Sequence, residues 1–469
     1  MTQTNENERS TLFVLYGATG DLAKRMVLPA FFSLFAKGLL PTQWRLVGNG
    51  RGDVSHEDFR GHVHDVLTEF APPLDEAKFE LFSKNLSFAG GGFDTDSPGS
   101  LLEVLDEQRK DVGADAQLIH YFAVPPTAFE ELTKALGAHD LAKDSRVVYE
   151  KPYGTSPEKF AQLDEVVHSV LEESQVFRID HFLGKEATQD LHVLRFGNTL
   201  FETIWNREHV RAVQIDVPET LDIDDRAEFY DHTGAFLDMI VTHLFQLAAE
   251  VAMEPPVSMS ADDLQTAREG VIAAFRPLDV ADVVLGQYDG YRQVPGIDPN
   301  SSMDTFTALR LWVDTDRWHG VPFFLRTGKR LTAGAQTVSL LLNPPAGPLT
   351  HLPPDGNVLT FVLDGSGKID LKMVVKEPGA ETGLVDADAS VDLAKVQDAD
   401  PLAPYARLIH DVLVGDLSLF TRPDGLARVW AVATPLLDHR PDVQPYEQGS
   451  WGPAAAAELI APDHWLLGQ

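Results

Sequence analysis

The segment 11–38, TLFVLYGATGDLAKRMVLPAFFSLFAKG, constrains the fold more than any other stretch of the chain. A short, largely apolar run, TLFVLY, leads straight into a glycine turn, and an apolar-rich helical pattern follows to Lys37, where Gly38 ends it. A short strand buried on both faces belongs in a parallel sheet, whose next strand must be reached by a helical crossover. Pro29 lies inside the helical run and should bend or interrupt it. The alternation continues: strand 44–48 (WRLVG), helical patterns at 56–70 and 99–112, strand 118–124 (LIHYFAV), helix 129–136 and strand 146–150 (RVVYE). This predicts an α/β Rossmann-type domain, a doubly wound parallel sheet, over residues 1–177.

Beyond that point the pattern changes. Runs at 210–217, 305–313, 338–342, 359–363 and 369–375 read as strands with few helices between them. Antiparallel pairing follows, so 178–469 is expected to be an α+β domain with a large, mostly antiparallel sheet. No run is expected to cross a membrane. The formal charge of −33 argues against nucleic acid and anionic membranes as partners, because both need a basic face. The absence of cysteine excludes disulfides, thiolate catalysis and Cys-based metal sites. The polar start, MTQTNENERS, lacks a charged-then-apolar leader pattern, which makes the cytoplasm the expected compartment.

Gly17 and Gly20 stand where a strand turns into a helix, the place where backbone amides receive a pyrophosphate. The spacing to Ala23 is G-x-x-G-x-x-A, one residue wider than the usual dinucleotide pattern, and a purely structural turn fits it equally. The second strand ends in Gly48-Asn49-Gly50-Arg51 with no acid at its tip. Arg51 therefore points to the 2′-phosphate of NADP, while Asp53 keeps NAD open as the weaker alternative. Lys24 and Arg25 are further cations one turn into the helix. The glycines at 90–92 lack a P-loop lysine and read as a flexible connection; His62 and His64 read as a solvated helix face.

The helix 234–253, GAFLDMIVTHLFQLAAEVAM, is too apolar for a free surface. At 100° per residue Asp238, Thr242, His243, Gln246 and Glu250 fall within an arc of about 140°. A buried helix with one polar stripe lines something polar, although a core histidine bonded to a carbonyl would give the same pattern. Histidine suits a base at neutral pH. The word FRIDHFLGKE at 177–186 adds Asp180, His181 and Lys185 around a glycine turn, a set that can hold a phosphate dianion or serve as a polar loop.

Together these words resemble the glucose-6-phosphate dehydrogenase family. RIDHFLGKE at 178–186, GATGDLAK at 17–24, EKPYG at 150–154, DMIVTHLFQ at 238–246 and RTGK at 326–329 carry the resemblance, which spans nearly the whole chain. It implies oxidation of glucose 6-phosphate to 6-phosphogluconolactone with NADP, in the pentose phosphate pathway, by a homodimer or dimer of dimers. No metal is implied. By the resemblance His243 is the general base and Asp180 orients its imidazole. His181 and Lys185 bind the substrate phosphate, while Lys151, Glu219, Asp238 and Lys329 hold the sugar. Gly17, Thr19, Gly20, Asp21, Leu22, Arg51 and Lys151 hold the cofactor, and Pro152 is a candidate for a cis peptide. Two departures stand out. Met26 replaces a basic residue common in the family, and Phe182 replaces a tyrosine whose hydroxyl would be worth about 1–3 kcal/mol to a bound phosphate. Those departures also motivate an NAD-using or dual-cofactor relative as an alternative, and a catalytically silent regulator as a further one.

Overall fold

The computed structural model describes residues 9–223, 226–349, 352–353, 356–365, 367–380, 383–397 and 399–468. They form two compact units. The first holds 1–184 with the returning segments 260–265 and 402–423; the second holds 185–259, 266–401 and 424–469. The chain is thus not parted at the single point near 177 that the sequence suggests. The segment 402–423 returns because Tyr405, Leu408, Ile409, Val412 and Phe420 are apolar side chains buried in the first unit's core.

The first unit is built on a six-stranded sheet of β1 (Thr11–Tyr16), β2 (Trp44–Asn49), β3 (Leu86–Ala89), β4 (Gln117–Phe122), β5 (Arg146–Tyr149) and β6 (Val176–Arg178). All pairs are parallel, in the order β3-β2-β1-β4-β5-β6. The four central strands of the expected alternation are present, and β3 and β6 complete the flanks. Because every strand points the same way, all six carboxyl ends share one edge, the edge where open parallel sheets bind ligands.

Pro29 does interrupt its helix, by a specific device. Ala23–Val27 is a π-helical turn, with the Leu28 N–H donating to the Ala23 carbonyl, and an α-helix resumes over Leu28–Lys37. Widening the turn ahead of proline relieves the clash of its ring with the carbonyl four residues back. Gly38, at φ 72°, ends the helix in the left-handed conformation glycine favours.

The second unit carries a nine-stranded mixed sheet. Its strands are β7 (Val210–Pro218), β8 (Val283–Tyr288), β9 (Phe306–Trp312), β10 (Pro322–Gly328), β11 (Thr337–Leu342), β12 (Val358–Val362), β13 (Lys368–Lys376), β14 (Leu384–Asp392) and β15 (Gln444–Tyr446). Their order is β14-β13-β12-β11-β7-β10-β9-β8-β15. Most neighbours are antiparallel, as expected; β7–β10 and β8–β15 are parallel. Against the expectation of no spanning-length run, the helix 227–252 is 26 residues long and contains an apolar window with a mean hydropathy of 1.4. It is a core helix nonetheless, since 89% of that apolar window is covered by the fold.

Candidate active site

At the first unit's carboxyl edge the tips of three strands are stitched together. The Asn49 carbonyl accepts from the Gly17 and Ala18 amides at 3.0 and 3.2 Å. Its side-chain amide donates to the Ala89 and Gly92 carbonyls at 3.1 and 3.3 Å. Gly17 adopts φ +72°, and a Cβ there would lie 2.4 Å from the Ala123 carbonyl oxygen at the end of β4. Only glycine permits this approach of backbone to backbone, and the same bareness leaves room for a pyrophosphate. Thr19 and Asp21 are exposed, and Leu22 is half-buried.

Arg51 is exposed and makes no hydrogen bond or ion pair among the described residues. Its stem runs past Gly92, where a Cβ would stand 3.9 Å from Arg51 Cγ. The glycines at 90–92 are therefore not the flexible connection the sequence suggests. A Cβ on Gly90 would sit 2.6 Å from the Gly52 oxygen, and Gly92 donates to the Gly50 carbonyl at 3.0 Å. They form a tight shelf beneath the arginine. Arg25, by contrast, is paired with Asp21 at 2.7 Å on the surface.

The ends of β5 and β6 bring Lys151, Asp180 and His181 to the same edge, joined by the Ile179 amide donating to the Tyr149 carbonyl at 3.0 Å. The Lys151–Pro152 peptide is cis, as expected. Asp180 is buried, and its Oδ1 accepts from the Phe182 amide at 2.9 Å. Phe182 is itself buried, its ring 4.8 Å from that of His181. Beside Lys151, Glu150 is 4% exposed and accepts from the Tyr121 hydroxyl at 2.6 Å. Burial raises the Glu150 pKa, with the Tyr121 hydrogen bond acting against it.

In the second unit the parallel pairing of β7 and β10 aligns Pro218 with Gly328, so the residues after them, Glu219 and Lys329, emerge side by side. They form an ion pair. The Lys329 ammonium also stands 5.8 Å from the Tyr230 ring. Tyr230 is buried; desolvation lifts its pKa well above the ordinary phenol value, and the charges of Asp238 and Glu219 lift it further. Glu219, Asp238 and Lys329 are thus brought together around Tyr230, a residue the motifs did not single out. Lys185 reaches the same strand ends: its ammonium bonds the Gln336 side chain and, at 3.3 Å, the Leu363 carbonyl, while Ala335 donates to the Pro218 carbonyl at 3.1 Å.

His243 is fully buried on a helix that does not keep 100° per residue. The chain kinks at Gly234 (φ 67°, ψ 175°), is π-helical over Phe236–Leu244, and becomes α-helical over Phe245–Ala252. The Asp304 carboxylate accepts from the Phe236 amide at 2.7 Å, and a Cβ on Gly234 would lie 2.4 Å from that carboxylate. In an α-helix Asp238 and His243, five apart, would stand about 140° apart. Bonding from i to i+5 brings such residues close to one face. The single polar stripe expected from α-helical periodicity therefore splits. Asp238 and His243 share the π-helical face, whereas Glu250 pairs with Arg268 and, at 2.5 Å, with His192 in a buried cluster.

Two family models match the chain: "Glucose-6-phosphate dehydrogenase, NAD binding domain" over 14–190 and the C-terminal domain of the same family over 192–466. Glucose-6-phosphate 1-dehydrogenase of Aggregatibacter actinomycetemcomitans is 33% identical, covering 96% of this chain and 95% of that protein. The enzyme of the same name from Leuconostoc mesenteroides is 33% identical, covering 98% and 99%. Among solved structures, a glucose-6-phosphate dehydrogenase in complex with its substrate glucose-6-phosphate superposes with a TM-score of 0.91 at 29% identity, covering 98% of this chain and 99% of that one.

Proposed function

The chain belongs to the glucose-6-phosphate dehydrogenase family, and from that membership we propose that it oxidises glucose 6-phosphate at C1 with NADP, in the cytoplasm, within the pentose phosphate pathway. The cofactor, when bound, supplies the acceptor for the C1 hydride. The bare glycine cradle at Gly17 and Gly20, with Thr19, Asp21 and Leu22 lining the turn, suits its pyrophosphate, and the unpaired Arg51 suits a 2′-phosphate. His243 takes the proton of the C1 hydroxyl as the C1–O bond becomes a carbonyl, giving 6-phospho-glucono-1,5-lactone. Asp180 is assigned the orientation of that imidazole and the stabilisation of the imidazolium. Lys151, Glu219, Asp238 and Lys329 take the sugar hydroxyls, and His181 and Lys185 take the phosphate.

The observation that carries the assignment of the base is the buried imidazole of His243, set on one face with Asp238 by a π-helical turn, a backbone irregularity frequent at functional sites. The family resemblance adds a homodimer or a dimer of dimers, with the large sheet as the interface. The pairing of Arg25 with Asp21 supports a second reading, dual use of NADP and NAD, because an arginine already neutralised adds little to the hold of Arg51 on a 2′-phosphate.

The test is reduction of NADP and NAD, followed by absorbance, with glucose 6-phosphate and with plain glucose. Rapid reduction of NADP with the phosphorylated sugar alone is expected. Comparable NAD rates would move the assignment to dual use, and no reduction by folded protein would sink the catalytic reading.

A further inference from the structure

The loop that carries Asp180 and His181 rests on a helix from far along the chain, Pro404–Val414. Gly184 lies so close to it that a Cβ would meet the Pro404 oxygen at 2.9 Å and Leu408 Cγ at 3.0 Å. On that helix the ring of Tyr405 is stacked with that of His181, centroids 6.3 Å apart and planes 17° from parallel. Phe182 also packs against the imidazole, but its ring is tilted by 48°. The Tyr405 hydroxyl donates to Glu150 at 3.4 Å, and Glu150 in turn accepts from Tyr121. Tyr405 and Glu150 are 7% and 4% exposed.

We propose that Tyr405 is a positioning residue for the imidazole of His181, holding that ring in the attitude that receives the substrate phosphate, and that Glu150 anchors Tyr405. The inference rests on the assignment of His181 to the phosphate. A histidine donates in the plane of its ring, so a flat neighbour that fixes the plane fixes the donor direction. The anchor follows from partner geometry: one carboxylate joins a strand tyrosine, Tyr121, to a helix tyrosine, Tyr405, beside the turn that presents Lys151. A buried phenol needs such a partner, and a shared carboxylate makes the two rings one unit.

The choice of sugar separates positioning from general support. Turnover of glucose 6-phosphate uses the phosphate contact, whereas slow turnover of plain glucose at high concentration does not. For Tyr405→Leu, kcat/KM with glucose 6-phosphate is expected to fall about tenfold, and for Tyr405→Phe about two- to threefold, within the range a ring pair and its hydroxyl support. With plain glucose both variants should match the parent within a factor of about two, and KM for NADP should not move. Equal losses on both sugars, or no loss in folded Tyr405→Leu, would overturn the proposal. Should Tyr405→Leu fail to fold, the near-isosteric Tyr405→Phe decides: a loss confined to the phosphorylated sugar supports the proposal, and an unselective or absent loss overturns it. If the parent protein itself does not prefer the phosphorylated sugar, the assignment of His181 fails first, and that outcome is read before any variant is made.

Discussion

Among the described residues, two helices, one in each unit, contain a π-helical turn, and the reasons differ. The turn at Ala23–Val27 lies just ahead of Pro29, whose ring accounts for it. It leaves Arg25 and Met26 on the surface. The turn at Phe236–Leu244 contains no proline and is almost wholly buried, with Asp238 and His243 inside it. There the widened turn is held by one contact from outside, Asp304 capping the Phe236 amide, and by one from within, the Thr242 hydroxyl donating to the Leu237 carbonyl, five residues back, at 2.8 Å. The first irregularity is local chemistry. The second lies in the core and sets two ionisable groups on one face, the arrangement in which π-helical turns recur at functional sites.

That contrast predicts catalytic loss from the buried helix and altered cofactor affinity from the glycine-turn side. The largest effect is expected for His243→Asn. Removing the base should lower kcat by about 10²–10⁴ while glucose 6-phosphate still binds, as calorimetry would read; near-normal kcat would break the assignment. Next is Glu250→Gln, on the same long helix but in the buried cluster with Arg268 and His192. Breaking one partner of a buried ion pair costs about 3–5 kcal/mol of stability, to be read as a fall in the urea midpoint. Burial alone would raise the Glu250 pKa, but Arg268 and His192 bring it from 4.5 down to about 2. The sign follows: the stabilisation is complete above pH 4.5 and is lost as pH falls towards 2. The variant should lose that part of the acid dependence of unfolding. An unchanged acid profile would show that the cluster does not hold the helix.

On the cofactor side the effects should appear in KM. For Arg51→Ala, KM for NADP is expected to rise about 10- to 100-fold, the value of a charged hydrogen-bonding partner, with KM for NAD unchanged. A parallel rise for both cofactors would remove Arg51 from the 2′-phosphate. Gly17→Ala puts a Cβ against the Ala123 oxygen in a left-handed conformation, which costs about 1–2 kcal/mol from the conformation alone. NADP and NAD should both weaken, by about tenfold, because the turn serves the pyrophosphate common to them.

The fold was legible where the chain repeats a physical motif. β1, β2, β4 and β5 are runs of apolar residues bounded by turns, and helical patterns separate them. β3 and β6 escaped because four and three residues carry no period, and β14 because LVDADASVD is rich in acid and largely exposed. The site was legible only as words. Asn49, Tyr230, Gln336 and Tyr405 act through contacts distant in sequence, and a lone amide or tyrosine has no spacing to betray it. Periodicity read Asp238, His243 and Glu250 as one polar stripe, and its splitting was invisible because helical periodicity assumes 100° per residue, an angle the π-helical stretch does not keep.

The smallest effect is expected at Met26, 38% exposed in the proline-induced turn and next to Arg25. The Arg25 guanidinium is already balanced by Asp21 at 2.7 Å and lies 5.4 Å from the Phe70 ring, so Arg25 itself adds little net positive charge to this surface. Met26→Lys adds an ammonium with no assigned counter-ion. If the turn faces the 2′-phosphate, preference for NADP over NAD should rise about two- to threefold at low salt, and fall back at about 0.5 M salt as exposed charges are screened. A salt-insensitive change would mean that the side chain acts by altering the turn. No change at low salt would confine recognition of the 2′-phosphate to Arg51 and its glycine shelf.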